Sequence, residues 1–281
     1  MNELDPIYID RVVRMALDED IGGGDITTLA TVPEDTHGRA TITAKQRGII
    51  AGQQLAWNAF YCLDSLSEYT VIVHDGSPVA PGDMIASVTG AARSILTAER
   101  SALNFLGRLS GIATLASEYA ILVSHTNARI VDTRKTTPGL RRLEKYAVTV
   151  GGCCNHRFGL SDGILIKDNH IVAAGGVSAA IRAAKAHAPH TLKIEVEVAT
   201  LDGLREAIDA GADIVMLDNM PLEMMRETVA IAKGAVLLEA SGGVSKETVV
   251  AIAETGVDII SIGALTHSAP ALDISLEFAK E

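Results

Sequence analysis

The sequence predicts an α/β fold in which an α/β barrel, complete or reduced to six or seven strands, follows a smaller N-terminal mixed α/β domain. Short apolar runs recur after residue 129 and alternate, in the second half of the chain, with helical stretches. The later runs are spaced by roughly twenty to twenty-five residues, the length of one strand, one helix and two loops. Aromatic residues make up only 4% of the chain and aliphatic residues are frequent, as in the interior of a parallel sheet.

Six apolar runs are predicted to be the strands of the barrel: 130–131, 163–166, 193–198, 213–217, 236–238 and 258–262. The helical stretches between and after the later runs are 177–188, 201–210, 221–232 and 246–255. Several runs end in charged residues or in small-residue turns, and barrel enzymes carry their chemistry at the carboxyl ends of the strands. An open doubly wound sheet is the alternative, but the sequence lacks the glycine-rich first turn that such a sheet is expected to have.

The first hundred residues predict a small α/β unit without dense chemistry. Apolar spacing indicates a helix over 6–20, and the glycine-rich run 22–25 is interpreted as a turn because no strand precedes it. A longer helix is predicted over 96–124, with an interruption near Gly111. The predicted domains are an N-terminal domain for packing and dimer assembly (1–108), a catalytic barrel (109–267), and a C-terminal helix that packs back on the N-terminal domain (268–281).

Positive charge is concentrated between residues 130 and 171. This segment holds seven basic residues against four acidic ones, in a chain whose net charge is −11. Arg134 and Lys135 follow one apolar run and Lys167 ends another, so these cations are expected to point into a site for a small ligand with several negative charges. The acidic balance of the whole chain argues against a nucleic acid or an anionic membrane as partner.

Cysteine and hydropathy patterns bear on the cellular compartment. No apolar run approaches membrane-spanning length, and the polar N-terminus does not resemble a signal peptide. Three cysteines make neither a disulfide framework nor a zinc motif, which favours a reducing, cytoplasmic location. The adjacent Cys153 and Cys154 are interpreted as small buried residues and not as nucleophiles.

The basic segment contains four closely spaced motifs: DTRKTTPGLR at 132–141, NHR at 155–157, GLSD at 159–162 and KDNH at 167–170. These motifs resemble those of quinolinate phosphoribosyltransferases, the carboxylating nicotinate-nucleotide pyrophosphorylases, a type II phosphoribosyltransferase family. The resemblance extends over most of the chain. It departs at Cys153, where the family usually has a third glycine. Cysteine adopts a positive φ less readily than glycine, so the resemblance does not predict the backbone conformation at this position.

The resemblance implies a reaction and a set of partners. Phosphoribosyl pyrophosphate and quinolinate would give nicotinate mononucleotide, pyrophosphate and CO₂, a step of NAD biosynthesis, with Mg²⁺ and without an organic cofactor. It also implies a homodimer in which Arg100, the arginine of a Glu-Arg pair, reaches into the active site of the partner subunit.

Two groups of site residues combine the resemblance with the strand ends. The quinolinate group is Arg100, Thr133, Arg134, Lys135, His156, Arg157 and Lys167. The phosphoribosyl pyrophosphate group is Glu197, Asp218, Ser241, Gly242, Gly243, Ile262, Gly263, Ala264 and His267. Glu197 and Asp218 are also the candidate Mg²⁺ ligands, because Mg²⁺ prefers carboxylate oxygens.

Three other functions remain open at the sequence level. A paralogous pyrophosphorylase associated with molybdenum uptake shares some of the motifs, but it typically lacks the Lys-Asp that this chain keeps at Lys167 and Asp168. A barrel aldolase would use Lys167 as a Schiff-base lysine. A non-catalytic protein would bind the dicarboxylate without turnover.

Overall fold

The computed structural model describes residues 4–280, which divide into two compact units. The first unit contains the residues up to 117, the segment 142–152 and the residues from 268 onward. The second unit contains 118–141 and 153–267. The predicted boundary at residue 108 is therefore displaced, and part of the basic segment belongs to the first unit.

Residues 4–122 form four helices and five strands in chain order. They are α1 (Pro6–Ile21), α2 (Ile26–Thr31), β1 (His37–Ala44), β2 (Gly48–Ile49), α3 (Gln53–Leu63), β3 (Glu68–Val71), β4 (Pro78–Val79), β5 (Met84–Ala91) and α4 (Ala92–Leu122). The predicted helix over 6–20 is confirmed as α1, and Asp5 caps it by accepting a hydrogen bond from the Ile7 N–H.

The rest of the chain alternates strands and helices. The elements are β6 (Arg129–Val131), α5 (Arg141–Val150), β7 (Ile164–Ile166), α6 (Asp168–Ala174), α7 (Val177–His187), β8 (Ile194–Val198), α8 (Leu201–Ala210), β9 (Ile214–Asp218), α9 (Leu222–Ala232), β10 (Leu237–Ser241), α10 (Val249–Ala253), β11 (Ile259–Ser261), α11 (Ala264–His267) and β12 (Ile274–Lys280). All six predicted barrel strands are present as β6 to β11.

The prediction of a C-terminal helix is wrong, because the chain ends in a strand. β12 pairs antiparallel with β1 in a sheet of order β12-β1-β5-β3, with Leu276 opposite Ile42 and Phe278 opposite Ala40. Leu276 and Phe278 are half-buried and Glu277 is exposed, a period of two that indicates a strand. The segment does pack on the N-terminal region, as predicted.

Helix α4 is continuous and is not interrupted at Gly111. A Cβ at Gly111 would overlap the carbonyl oxygen of Pro270, and a Cβ at Gly107 would lie 3.0 Å from the carbonyl oxygen of Leu272. These glycines therefore allow the segment before β12 to lie directly on the helix backbone. Each costs helix stability relative to alanine, which this close packing offsets.

Helix α5 carries part of the basic segment into the first unit. Its Leu143, Ala147 and Val148 are buried, and the fully buried Glu144 accepts a hydrogen bond from Arg108, with Nη2 and Oε1 2.7 Å apart. The guanidinium of Arg142 lies over the ring of Tyr8, with its Cζ atom 5.3 Å from the ring centroid. The predicted concentration of charge therefore includes a cation, Arg142, that contributes to the packing of the first unit and not to the predicted site.

The second unit is built on a parallel sheet of order β6-β11-β10-β9-β8-β7. Helices α7, α8 and α9 connect successive parallel strands from β7 to β10. Val196, Val215 and Ile260 on its central strands are fully buried. Among the described residues, no hydrogen-bonded ladder joins the edge strands β6 and β7. On the outer side of β6, Val131 forms an isolated parallel β-bridge with Cys154. The predicted incomplete, six-stranded barrel is confirmed.

Within residues 4–280, no helix combines the length and apolar character that a membrane-spanning segment needs.

Candidate active site

The carboxyl ends of β6 to β11 surround one cavity of about 770 Å³. Residues just after one edge strand (Thr133, Arg134 and Lys135, after β6) and a residue of the other (Leu165, on β7) both line it, so the two edges of the sheet approach the same cavity. Fifteen of the sixteen predicted site residues line this cavity: Thr133, Arg134, Lys135, His156, Arg157, Lys167, Glu197, Asp218, Ser241, Gly242, Gly243, Ile262, Gly263, Ala264 and His267. Its volume falls in the range of about 300–1,000 Å³ that small-molecule sites occupy.

Arg100 is the predicted site residue outside this set. It lies on α4 in the first unit, and its side chain is exposed. Its role across a subunit interface stays a prediction.

Sequence reasoning missed six residues of the lining. They are Leu165, Met216, Asn219, Glu239, Val244 and Ser261. Four of the six lie two positions before a predicted site residue, and side chains two apart on a strand point to the same face. This period could have identified Leu165, Met216, Glu239 and Ser261 from the sequence.

Three cations face one side of the cavity. Arg157 donates from Nη1 to the carbonyl oxygen of Gly163 at 2.9 Å, while the buried Nε of Arg134 meets no hydrogen-bond acceptor in the described structure. Burial, and next to it the charge of Arg134, lower the pKa of Arg157. Lys167 Nζ lies 3.4 Å from Glu197 Oε2. This side therefore holds positive charge that the protein itself only partly compensates.

Next to these cations, the lining of the cavity combines carboxylates with small-residue loops. Glu197 and Asp218 end β8 and β9, and the Asn219 amide nitrogen donates to Asp218 Oδ1 at 3.0 Å. Gly242 and Gly243 both have positive φ (96° and 60°), which lets the loop after β10 expose its backbone to the cavity.

The loop after β11 brings two further predicted residues together. A Cβ at Gly263 would lie 3.1 Å from Nε2 of His267 and 3.2 Å from Cδ of Lys135. The Thr266 hydroxyl donates to the carbonyl oxygen of Lys135 at 2.8 Å and fixes the segment after β6 against this loop. A histidine and a lysine therefore flank a turn without a side chain, an arrangement suited to an anion.

Comparison with known proteins identifies the family. Residues 25–110 match the N-terminal domain and residues 112–277 the C-terminal domain of quinolinate phosphoribosyl transferase. The chain belongs to the quinolinate phosphoribosyl transferase family. It is 46% identical over 259 residues to a probable carboxylating nicotinate-nucleotide pyrophosphorylase of Bacillus subtilis, covering 92% of this chain and 89% of that protein.

Two further relatives agree with this family. A carboxylating nicotinate-nucleotide pyrophosphorylase of Mycobacterium leprae is 45% identical over 271 residues, covering 94% of this chain and 95% of its own length. The solved structure of the nicotinate-nucleotide pyrophosphorylase from Francisella tularensis is 43% identical and superimposes with a TM-score of 0.94, covering 99% of this chain and 98% of its own.

Buried carboxylates contact the NHR motif that this chain shares with the family. Asp132, fully buried at the end of β6, accepts from the Asn155 side chain at 2.6 Å and from the His156 backbone N–H at 2.9 Å. His156 Nδ1 accepts from the backbone N–H of Arg157 at 2.7 Å. His156 Nε2 lies 3.1 Å from Oε2 of Glu195.

Glu239 completes this buried cluster. Its Oε2 lies 3.5 Å from His156 Nε2, and only 1% of the residue is exposed. Burial, and next to it the negative charge of Glu195, raise the pKa of Glu239 to about 7, although His156 opposes the shift. The cluster of His156, Glu195 and Glu239 therefore holds a proton that an ordinary glutamate pair would release.

The cysteine that departs from the family pattern needs no special backbone. Cys153 is absent from the positive-φ residues, whereas its neighbour Gly152 has φ 92°. Cys153 is buried, and burial raises the pKa of its thiol to about 12, so the interpretation as a buried, unreactive residue agrees with the structure. For Cys154 the predicted burial is wrong, because this residue is exposed, while the expectation that it is not a nucleophile stays a prediction.

Proposed function

We propose that this chain transfers the phosphoribosyl group of phosphoribosyl pyrophosphate to quinolinate with decarboxylation, giving nicotinate mononucleotide, pyrophosphate and CO₂ for NAD biosynthesis. The supporting observation is one cavity that is lined both by cations and by carboxylates and glycine loops. Such a cavity suits two different anions placed side by side. The names of the curated relatives point to the same reaction.

The cationic side suits the two carboxylates of quinolinate. Arg134, Arg157 and Lys167 provide it, and a guanidinium both attracts and orients a carboxylate through paired N–H groups. At 4 Å and an effective dielectric constant near 20, each pair is worth about 4 kcal/mol of Coulomb attraction before desolvation. A dianion would also relieve the repulsion between Arg134 and Arg157.

The other side suits phosphoribosyl pyrophosphate. Backbone N–H groups of the loops after β10 and β11 would hold the 5′-phosphate, as the last loops of barrels commonly do. Lys135 and His267 would contact the pyrophosphate. Glu197 and Asp218 lie near the ends of the neighbouring strands β8 and β9, and their carboxylate oxygens suit ribose hydroxyls and Mg²⁺. Bound Mg²⁺ would neutralise negative charge on the pyrophosphate.

The reaction requires positioning more than a protein nucleophile. The pyridine nitrogen attacks the ribose carbon as the bond to pyrophosphate breaks through a dissociative, oxocarbenium-like transition state. The ring nitrogen is then positively charged and stabilises the electron pair left on the adjacent ring carbon when its carboxylate leaves as CO₂, and that carbon takes up a proton from water. A Schiff-base role is less favoured, because Lys167 is about half exposed (51%) and pairs with Glu197, whereas such a lysine is usually desolvated.

Assembly and location form part of the same proposal. We infer a homodimer in which Arg100 reaches the active site of the partner subunit. Its exposed side chain on α4 leaves it available for such a contact. We also infer a cytoplasmic enzyme, since Cys62, Cys153 and Cys154 are all free thiols.

An assay with two acceptors tests this proposal. The expected result is Mg²⁺-dependent release of pyrophosphate with quinolinate and none with nicotinate, because nicotinate has only one carboxylate for the cationic side. Release with nicotinate would contradict the dicarboxylate assignment. Tight quinolinate binding without any release would instead identify a binding protein.

A further inference from the structure

The hydrogen bonds of His156 define which of its nitrogens carries a proton. The Arg157 backbone N–H donates to Nδ1 at 2.7 Å, so Nδ1 presents its lone pair. The proton of a neutral ring must then lie on Nε2, where Oε2 of Glu195 accepts it at 3.1 Å. Both ring nitrogens are thus engaged within the protein, although the ring also lines the cavity.

Glu195 and Glu239 approach this ring from two separate strands, β8 and β10. Each presents its Oε2 to Nε2 of His156, at 3.1 Å and 3.5 Å. Their other oxygens are buried and meet no hydrogen-bond partner in the described structure. The cost of burying two carboxylates is large, and both of them contact the imidazole.

We propose that Glu195 and Glu239 are positioning residues that keep the His156 proton on Nε2, so that Nδ1 holds the main chain of Arg157 and aims its guanidinium into the cavity. A histidine ring is commonly oriented by the bond that its second nitrogen makes. Here Asp132 fixes the backbone N–H of His156, and the two glutamates fix the ring.

This inference rests on the proposed function only where it assigns Arg157 to a substrate carboxylate; the protonation of the ring is independent of that assignment. A change at Glu239 should affect quinolinate and leave phosphoribosyl pyrophosphate largely unaffected, because the two sides of the cavity use different residues. Glutamine can replace glutamate in the cluster, since it keeps the shape and an oxygen acceptor.

The experiment compares three variants of the full-length chain. Glu239→Ala removes the acceptor, Glu239→Gln keeps the shape, and Leu238→Ala is the matched control. Leu238 is the preceding residue on β10, is 2% exposed, and points to the other face of the sheet. Leu238→Ala therefore opens a cavity and lowers the melting temperature without touching His156.

The expected kinetic result separates positioning from general damage. Glu239→Ala raises KM for quinolinate about tenfold or more, the scale on which residues that orient a site's direct ligands act, while KM for phosphoribosyl pyrophosphate stays near its original value. Glu239→Gln recovers most of the loss, and Leu238→Ala changes neither KM. Equal increases of the quinolinate KM in Glu239→Ala and Leu238→Ala would overturn the proposal.

A second readout does not depend on turnover. Nitrogen NMR of ¹⁵N-histidine-labelled protein, with His156→Asn to identify the signal, should show a proton-free Nδ1 and a protonated Nε2 at neutral pH. In Glu239→Ala the two signals should move toward a mixture of tautomers. A proton on Nδ1 in the original protein would overturn the proposal, as would a stoichiometric metal ion that is bound by the original protein and lost in Glu239→Ala. The expected tautomer without any turnover would support the positioning and refute the proposed function.

Discussion

The side-chain amide of Asn219 occupies the space that a Cβ on Gly242 would need. Asn219 is held there by its own backbone N–H, which donates to the carbonyl oxygen of Ser241 at 2.9 Å, and by an uncommon left-handed conformation (φ 51°). The same amide donates to Asp218. The glycine loop after β10 and the carboxylate at the end of β9 are therefore one connected structure.

A Gly242→Ala substitution tests this connection. We expect KM for phosphoribosyl pyrophosphate to rise about tenfold or more, because the new Cβ must displace both the loop and Asn219. Gly234→Ala is the control, since Gly234 also has positive φ (78°) but nothing within 4 Å of a new Cβ. Steady-state kinetics of both variants measure this KM. Equal KM values for phosphoribosyl pyrophosphate in the two variants would refute a specific role for the contact between Gly242 and Asn219.

An Arg157→Ala substitution tests the cationic side of the cavity. Quinolinate affinity should fall about 30-fold or more, because truncating one partner of a desolvated charge pair costs about 2–5 kcal/mol. Arg205→Ala is the control, since Arg205 is half exposed and pairs with Asp202 on the surface of α8. Calorimetric titration with quinolinate measures both. Unchanged affinity in Arg157→Ala would remove Arg157 from the site.

A Glu144→Ala substitution tests the stability of the first unit. Removing its carboxylate should cost about 1.5–3 kcal/mol of unfolding free energy, because Arg108, whose side chain is 27% exposed, loses a hydrogen bond to a buried, charged acceptor. Asp202→Ala breaks an exposed pair and should cost at most about 1 kcal/mol. Urea unfolding gives both values, and similar costs for the two variants would contradict the distinction.

The raised pKa of Glu239 predicts a pH-dependent stability difference. The folded protein keeps this proton up to about pH 7, whereas an unfolded glutamate releases it near its ordinary pKa of 4.5. Stability from this group is therefore fully present below pH 4.5 and is lost as the pH rises toward and through 7. Glu195 and His156 face the same carboxyl, so the loss belongs to the cluster.

Glu239→Gln removes this proton equilibrium. Its melting temperature relative to the original protein should increase from pH 5 to pH 8, by an amount that corresponds to at most about 3 kcal/mol. Thermal unfolding at several pH values measures the difference. A difference that is constant with pH would contradict the raised pKa.

The sequence predicted the barrel strands and most of the cavity for one physical reason. Residues such as Lys167 and Asp218 end apolar runs, and the carboxyl ends of parallel strands meet at one edge. Charges at these ends were therefore visible in a linear pattern. Once β6 to β11 were assigned, the lining residues at the strand ends followed, whereas His156 and Arg157 were predicted from the resemblance of their motif to the family.

The buried cluster escaped prediction because its partners are far apart in the chain. Glu195 and Glu239 lie inside apolar runs, and the sequence alone does not show which residue a charged side chain in such a strand contacts. Their common partner, His156, belongs to a loop that only the folded sheet brings near. The C-terminal strand was missed because its alternation is short and its pairing with β1 spans most of the chain. Gly111 suggested an interruption in α4, although its role is close packing against Pro270.

One measurement tests the central claim most directly: pyrophosphate and CO₂ counted together in the same reaction of quinolinate with phosphoribosyl pyrophosphate and Mg²⁺. The two-sided cavity predicts one pyrophosphate and one CO₂ for each quinolinate consumed. Pyrophosphate without CO₂, or neither product, would contradict phosphoribosyl transfer coupled to decarboxylation.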